Sequence, residues 1–234
     1  DMQRAFLPAE REGSFPVHGA SRPAYEAAGD FYDIIERPDG AVWFAIADVA
    51  GKGMNAAIVM AETASLFRYL TRTAEDPWQV LCAINTELYA NRRGGLFVTM
   101  TCGVLGPKRT DVRLANAGHM PTLLLGRDTH DQAVRIEAEA PPLGVLANLV
   151  GAPATAEPLA IKRRGLYLFS DGLSEMPGDD GAEIGIDGVE AAIRSAEAAE
   201  NGPGERLAYV LDRIAGVHGT VSDDLTVMLV EPEA

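Results

Sequence analysis

The sequence predicts an α+β domain with helices packed outside two sheets. Short apolar runs of strand character come first, then two amphipathic helical stretches, more strand runs, a second helical pair and one last strand, the order of an α+β fold. Glycine, proline and aspartate punctuate these runs as turn residues do. Each of four acidic clusters stands at an end of an apolar run.

Taken in order, residues 1–10 open with Asp1-Met2-Gln3-Arg4-Ala5-Phe6-Leu7-Pro8, which reads as the last turn of a helix stopped by proline. We take them as the end of an N-terminal linker helix and residues 11–234 as one domain, since no linker forces a split. Without an initiator methionine, the chain reads as a domain cut from a longer protein. Residues 16–22 carry a weak strand pattern. Residues 28–37 and 41–49 flank Pro38-Asp39-Gly40, a turn signal that predicts an antiparallel hairpin. Asp30 and Asp48 then become neighbours across that pair.

Over residues 54–72, Ile58, Met60, Ala64, Phe67 and Leu70 approximate a helical stripe. A second helix over residues 76–91, with Pro77 in its first turn, places Leu81, Ile84 and Leu88 on one face. Both stripes are expected to pack on a sheet. Strands follow at 96–105, 112–117 and 122–125, the last two separated by Asn116-Ala117-Gly118-His119-Met120-Pro121. A short strand at 134–137 and a connection begun by Pro141-Pro142-Leu143-Gly144 lead to a strand pair, 155–161 and 165–169, joined by Lys162-Arg163-Arg164. Gly178-Asp179-Asp180-Gly181-Ala182-Glu183 reads as an exposed loop. Helices at 188–200 and 203–215 precede a strand at 225–231.

The 234 residues are 47% hydrophobic and 23% charged, an ordinary globular composition able to bury a sizeable core. A net charge of -14 argues against nucleic acid or an anionic membrane as partner. Part of that excess would be neutralised by bound metal; an acidic, solubilising surface explains the rest. Two cysteines make no disulfide framework and suggest a reducing compartment, no apolar run is long enough for a membrane span, and no signal-peptide layout opens the chain. We expect a cytoplasmic protein.

The chemistry concentrates in the acidic clusters: Gly29-Asp30-Phe31-Tyr32-Asp33, Asp48 before Gly51-Lys52-Gly53, Ser170-Asp171-Gly172, and Ser222-Asp223-Asp224. A carboxylate at the end of a buried strand is costly to ionise unless a cation or several hydrogen bonds meet it. Four such clusters without matching basic partners suggest a site for hard divalent cations, of the kind that lower the pKa of water for attack on phosphorus. A lone aspartate after a strand is more often a helix cap; together the four are more specific. Other phosphoryl-transfer signatures fail: a Walker A loop would need glycine where Ile46 stands and Ser or Thr where Gly53 stands. The arginine a cysteine phosphatase needs falls on Leu88 for Cys82 and on Lys108 for Cys102. His18, His119, His130 and His218 show no paired zinc spacing. His119, in a glycine turn, either fixes that turn or donates to a phosphate or leaving oxygen. Lys52 either is solvated or attracts substrate phosphate.

These clusters, with Arg22-Pro23-Ala24-Tyr25-Glu26-Ala27-Ala28-Gly29-Asp30, Phe97-Val98-Thr99-Met100, the 116–121 turn and Pro142-Leu143-Gly144-Val145, occur in an order that resembles the SpoIIE-type serine phosphatases of bacteria, a branch of the PPM (protein phosphatase 2C-like) family. The resemblance covers nearly the whole chain. It implies an αββα sandwich of two mainly antiparallel sheets flanked by helix pairs, with two Mn2+ or Mg2+ ions at one end. It implies hydrolysis of phosphoserine or phosphothreonine on a small protein, a phosphorylated STAS-type anti-sigma-factor antagonist in partner-switching signalling. By motif, Asp48 would bridge the ions and Val49 would offer its carbonyl; Asp171 and Asp223 would bind the other ion, and Asp30 would bind directly or through water. Asp33 and Asp224 match further acidic positions of the motifs.

The departures from the pattern are Ala28-Gly29 for a glycine pair, Asn55 for a proline, and no arginine shortly before Asp30 to clamp phosphate. The start of the chain resembles a linker to an upstream sensor or receiver domain, one that often pairs with its copy in a homodimer. Two other classes compete: a catalytically silent phosphatase-like binding module, and a two-metal nucleotide cyclase suggested by the Gly29–Asp33 loop, which leaves Asp171 and Asp223 unexplained.

Overall fold

Alternation along the strands decides which way every side chain near the site points. The computed structural model of the chain describes residues 15–24, 29–91, 95–126, 132–151, 158–161, 164–178, 180–199, 201–216 and 223–232. Among these, ten strands form two five-stranded sheets. The first contains β2 (Phe31–Glu36), β3 (Val42–Val49), β4 (Val98–Leu105), β5 (Asp111–Ala117) and β8 (Leu159–Ala160), in the order β2-β3-β4-β5-β8. The second runs β1-β10-β9-β6-β7, from β1 (Val17–Arg22), β10 (Leu225–Val230), β9 (Arg164–Phe169), β6 (Thr122–Gly126) and β7 (Val134–Ile136). Every ladder within the two sheets is antiparallel.

The expected hairpin forms, with Phe31 opposite Ala47 and Glu36 opposite Val42. Along β3, Trp43, Ala45, Ala47 and Val49 face a core shared with α1 (Met54–Leu70) and α2 (Pro77–Ala90). Val42, Phe44 and Ile46 face the other way, into the core between the sheets, where Leu166, Leu168, Met228 and Val230 meet them. A third core lies between the second sheet and helices α4 (Gly185–Glu197) and α5 (Pro203–Ala215). Helix pair, sheet, sheet and helix pair make the expected αββα order.

Local chemistry starts α2 where the sequence predicts. The Asp76 side chain accepts the Trp78 N–H at 2.7 Å ahead of α2, and Pro77 occupies a first-turn position where no hydrogen bond is lost. Three expectations need correction. Helix α4 begins at Gly185, earlier than position 188. A short turn, α3 (Asp171–Ser174), follows β9 directly. The segments 155–161 and 165–169 do not pair with each other: β8 closes the edge of the first sheet on β5, while β9 lies inside the second. Buried Ile161, whose N–H donates to the Thr110 carbonyl, marks the crossing, so two adjacent runs that look like a hairpin serve different sheets. The linker turn at residues 1–10, His130 and His218 lie outside the described residues.

Candidate active site

Strand parity gathers the acidic residues. Asp48 has the parity of Phe44 and Ile46 and lies at the end of the inter-sheet face, where the apolar stack stops. Asp30 lies next to it across the β2–β3 ladder. Asp33 has the opposite parity, that of Phe31 and Ile35, and turns toward α1. There it accepts Arg68 Nε at 2.5 Å and the Ile34 N–H at 2.9 Å. The structure therefore brings Asp30 to the site and takes Asp33 away from it.

From the opposite sheet, the ends of β9 and β10 are stitched together. The Ser170 N–H donates to the Thr226 carbonyl, the Thr226 N–H to Ser170 Oγ, and Ser170 Oγ–H to the Asp224 carbonyl. Asp171 and Asp223 leave the sheet side by side. Gly172 is required here, because a Cβ would stand 2.2 Å from the Asp224 carbonyl oxygen. The turn after β3 uses Gly51 and Gly53 at φ of 104° and 86°, values that favour glycine. It is tied to β4 by the Ala50 N–H donating to the Phe97 carbonyl.

The resulting cleft is lined by Gly29, Asp48, Val49, Gly51, Lys52, Asp223 and Asp224. Burial, then Asp171 and Asp223, push the Asp48 carboxyl up to about 6. Burial and then Asp223 raise Asp171. Asp30 sits fully buried behind them, beside the Ser170 and Thr226 hydroxyls, and is raised well above the usual range by burial and by Asp48. Those two hydroxyls give no signal in sequence until Asp30 is known to point inward. Asp224 is raised by burial and spends its carboxylate on backbone, accepting from Ala24 at 2.8 Å and Asp30 at 3.5 Å. Lys52 Nζ lies 3.3 Å from Asp223 Oδ2. His119 is buried in the turn after β5 with Nδ1 2.9 Å from Thr99 Oγ1, and it does not line the cleft.

This donor set suits a hard divalent cation: carboxylates and a backbone carbonyl, with a negative potential that raises their own pKa values. Gly29 leaves the room, since a Cβ there would stand 3.1 Å from both Asp48 Oδ1 and the Val49 carbonyl oxygen. Among the described residues, no three acidic, histidine or cysteine side chains already form a closed metal cage. The carboxylates surround the cleft without converging on one point.

The family model of Stage II sporulation protein E (SpoIIE) matches residues 38–233. The chain belongs to the SpoIIE family. Asp48, Asp171 and Asp223 of this SpoIIE-family chain fall within the matched residues; Asp30 and Asp33 precede them. Phosphoserine phosphatase RsbU of Bacillus subtilis is 31% identical over 111 residues, 47% of this chain and 33% of RsbU. Protein IcfG of Synechocystis is 23% identical over 176 residues, 63% of this chain and 27% of IcfG. The chain thus spans about a third or less of the curated relatives it matches.

Among solved structures, the SiaA-PP2C domain of Pseudomonas aeruginosa is similar at a TM-score of 0.78 and 18% identity, covering 98% of this chain and 91% of that one. The structure of the PP2C phosphatase domain of Bacillus subtilis SpoIIE with a fragment of its regulatory domain gives 0.73 at 20% identity, covering 93% and 64%. The SpoIIE-family chain therefore has the fold of PP2C-type phosphatase domains. No helix among its described residues is long and apolar enough to cross a membrane.

Proposed function

We propose that this chain is a metal-dependent protein serine/threonine phosphatase domain. Its substrate is phosphoserine on a small regulatory protein, a phosphorylated STAS-type anti-sigma-factor antagonist in partner-switching signalling. The observation that carries the reading is the meeting of Asp48 and the Val49 carbonyl from one sheet with Asp223 from the other around one cleft, with Asp171 close enough to Asp48 to raise its carboxyl. Similarity to a phosphoserine phosphatase supports the substrate class.

Asp48, Val49, Asp171 and Asp223 would hold two Mn2+ or Mg2+ ions, with Asp30 behind Asp48. Bound there, the ions would supply Lewis-acid activation of water and of the phosphoryl oxygens. Among the described residues the cleft lining includes no hydroxyl, thiol or imidazole, which supports water as the attacking group. Asp30, buried beside Asp48 and the Ser170 and Thr226 hydroxyls, holds a proton or releases it at its carboxyl according to the charge in the cleft. Lys52, at the rim on Asp223, draws the anionic substrate toward the same face. An upstream sensor or receiver domain, joined through a linker helix that pairs two copies, would regulate it; the likeness to a SpoIIE structure that carries a fragment of a regulatory domain supports this reading.

The test is hydrolysis of a phosphoserine peptide and an aryl phosphate against Mn2+ concentration, with Asp171→Asn in parallel. Saturable activity, lost on chelation, restored by Mn2+ and absent from the variant, is the expected result. A variant as active as wild type would refute the metal assignment. A chain that binds the phosphoprotein without turnover would be the silent binding module instead.

A further inference from the structure

The acidic cleft has an apolar mouth. Phe97 stands two residues before Thr99, the cross-strand partner of Asp48, and so has the parity of the inter-sheet face on which Asp48 lies. Its carbonyl accepts the Ala50 N–H at 2.9 Å, which pins it beside the turn after β3. Val98 and Leu143 exchange both backbone hydrogen bonds, at 3.1 and 2.8 Å, so Gly144 falls beside Phe97 and the chain runs on through Val145 and Leu146. Buried Asn85 of α2 fixes that run, accepting the Gly144 N–H at 2.9 Å and donating to the Leu146 carbonyl at 3.1 Å. Beyond the turn, α1 opens with Met54, two residues after Lys52 of the cleft lining. Phe97, Val145, Leu146 and Met54 are large apolar side chains left 37%, 42%, 43% and 63% exposed. Apolar exposure grouped on fixed backbone beside a cleft marks an interaction surface.

We propose that this rim is the docking surface for the phosphoprotein, taking apolar side chains that flank its phosphoserine. The proposal rests on the phosphatase reading above and assigns the recognition of the protein around the phosphate. A phosphoserine side chain is short, so a polypeptide that places its phosphate in the cleft must itself pass over the mouth. There the chain's net charge of -14 gives a phosphorylated partner no general attraction, and Lys52 is the one cation among the described lining residues. Burial of apolar surface is what is left to hold the partner, and an aromatic ring with a methionine, both on a fixed frame, suits the centre of an interface. A small phosphate ester has no such flanks. The rim therefore selects among phosphoproteins and leaves the chemistry to the cleft.

The test compares kcat/KM, with Mn2+ present, for two synthetic phosphoserine peptides that differ only in carrying leucine or serine on either side of the phosphoserine. An aryl phosphate and calorimetric Mn2+ binding report on the cleft itself, and the chains are wild type, Phe97→Ser and Met54→Gln. Wild type should prefer the leucine peptide about tenfold, the factor that corresponds to burying one leucine-sized side chain. Each variant should bring that ratio toward one while aryl phosphate turnover and Mn2+ affinity hold. A wild-type ratio near one would overturn the docking surface. So would a variant that loses the aryl phosphate and both peptides alike, since its side chain would then be keeping the shape of the cleft. A wild-type dimer in sedimentation that Met54→Gln splits, with the peptide ratio near one, would give the surface to a second copy instead. If Phe97→Ser does not fold, Met54→Gln, at an exposed helix position, decides between these outcomes. A chain that hydrolyses nothing would remove the phosphatase, and fluorescence anisotropy of the same labelled peptides then reads the rim by itself. Tighter binding of the leucine peptide by wild type alone keeps the docking surface; equal binding overturns it.

Discussion

A single step of strand parity separates Asp30 from Asp33, two acids three positions apart. Both are candidates in the sequence, which shows their number and order but not the face that each one takes. Asp33 is buried, with its side chain 4% exposed, and holds α1 through Arg68. Asp33→Ala removes the ion pair with Arg68 and the acceptor of the Ile34 N–H, and should cost about 1 kcal/mol in urea unfolding while kcat at saturating Mn2+ stays near wild type. A selective loss of kcat would return Asp33 to the active site. His119 gives a second prediction at this scale. Burial lowers its pKa from 6.5 to about 4. Between those values the unfolded chain binds a proton that the folded chain refuses. The histidine's contribution is therefore complete above pH 6.5 and declines as the pH falls toward 4, by up to about 3 kcal/mol. Unfolding free energy measured across that window should fall less steeply in His119→Gln; equal slopes would show that other groups carry the acid sensitivity.

At the scale of elements, α5 is joined to the second sheet by a buried polar network as well as by its apolar face. Arg206, 5% exposed, donates to both oxygens of Glu231 at 2.6 and 2.7 Å and to Glu197 at 2.6 Å, and the Tyr167 hydroxyl donates to Glu197 as well. Three charges taken out of water together are tolerable only as a set. Arg206→Met leaves two buried carboxylates facing one another and should cost about 3 kcal/mol, whereas Arg135→Met, whose partners Asp187 and Glu190 lie at the surface, should stay within about 1 kcal/mol. Equal effects in a denaturant series would mean that solvent reaches Arg206. The sequence showed α5 itself clearly, because Leu207, Leu211 and Ile214 repeat at helical spacing behind Gly202-Pro203. It did not show this network, whose members come from α4, α5, β9 and the end of β10. It failed also at β8 and β9, where adjacency in the chain suggested a pairing that the two-residue length of β8 leaves too weakly patterned to test.

For the whole molecule, the sequence carried the layer order, since strand runs and helical pairs alternate openly. It could not carry the sheet order, in which β1 pairs with β10 from opposite ends of the chain, Val17 opposite Val230. What sets the two sheets face to face is the apolar core between them, which brings Asp48 of one toward Asp171 and Asp223 of the other. Each carboxylate in the cleft raises the cost of ionising the next, so the metal-free fold carries repulsion at its open end. A divalent ion bound there would act as a clip between sheets, stabilising the native state and leaving the unfolded chain untouched. At Mn2+ about a hundredfold above its dissociation constant the gain should be about 2.7 kcal/mol, or roughly 5–10 °C in melting temperature for a domain of this size. Thermal unfolding against Mn2+ concentration reads it directly. The rise should shrink in Asp171→Asn, which removes a proposed ligand from one sheet, and in Gly29→Ala, whose Cβ would crowd Asp48 Oδ1 and the Val49 carbonyl on the other. Asp33→Ala should keep the full rise from its lower starting point, because its carboxylate faces α1. Should all three variants gain as much as wild type, the ion would be binding elsewhere on this acidic surface, and the cleft between the sheets would not be its site.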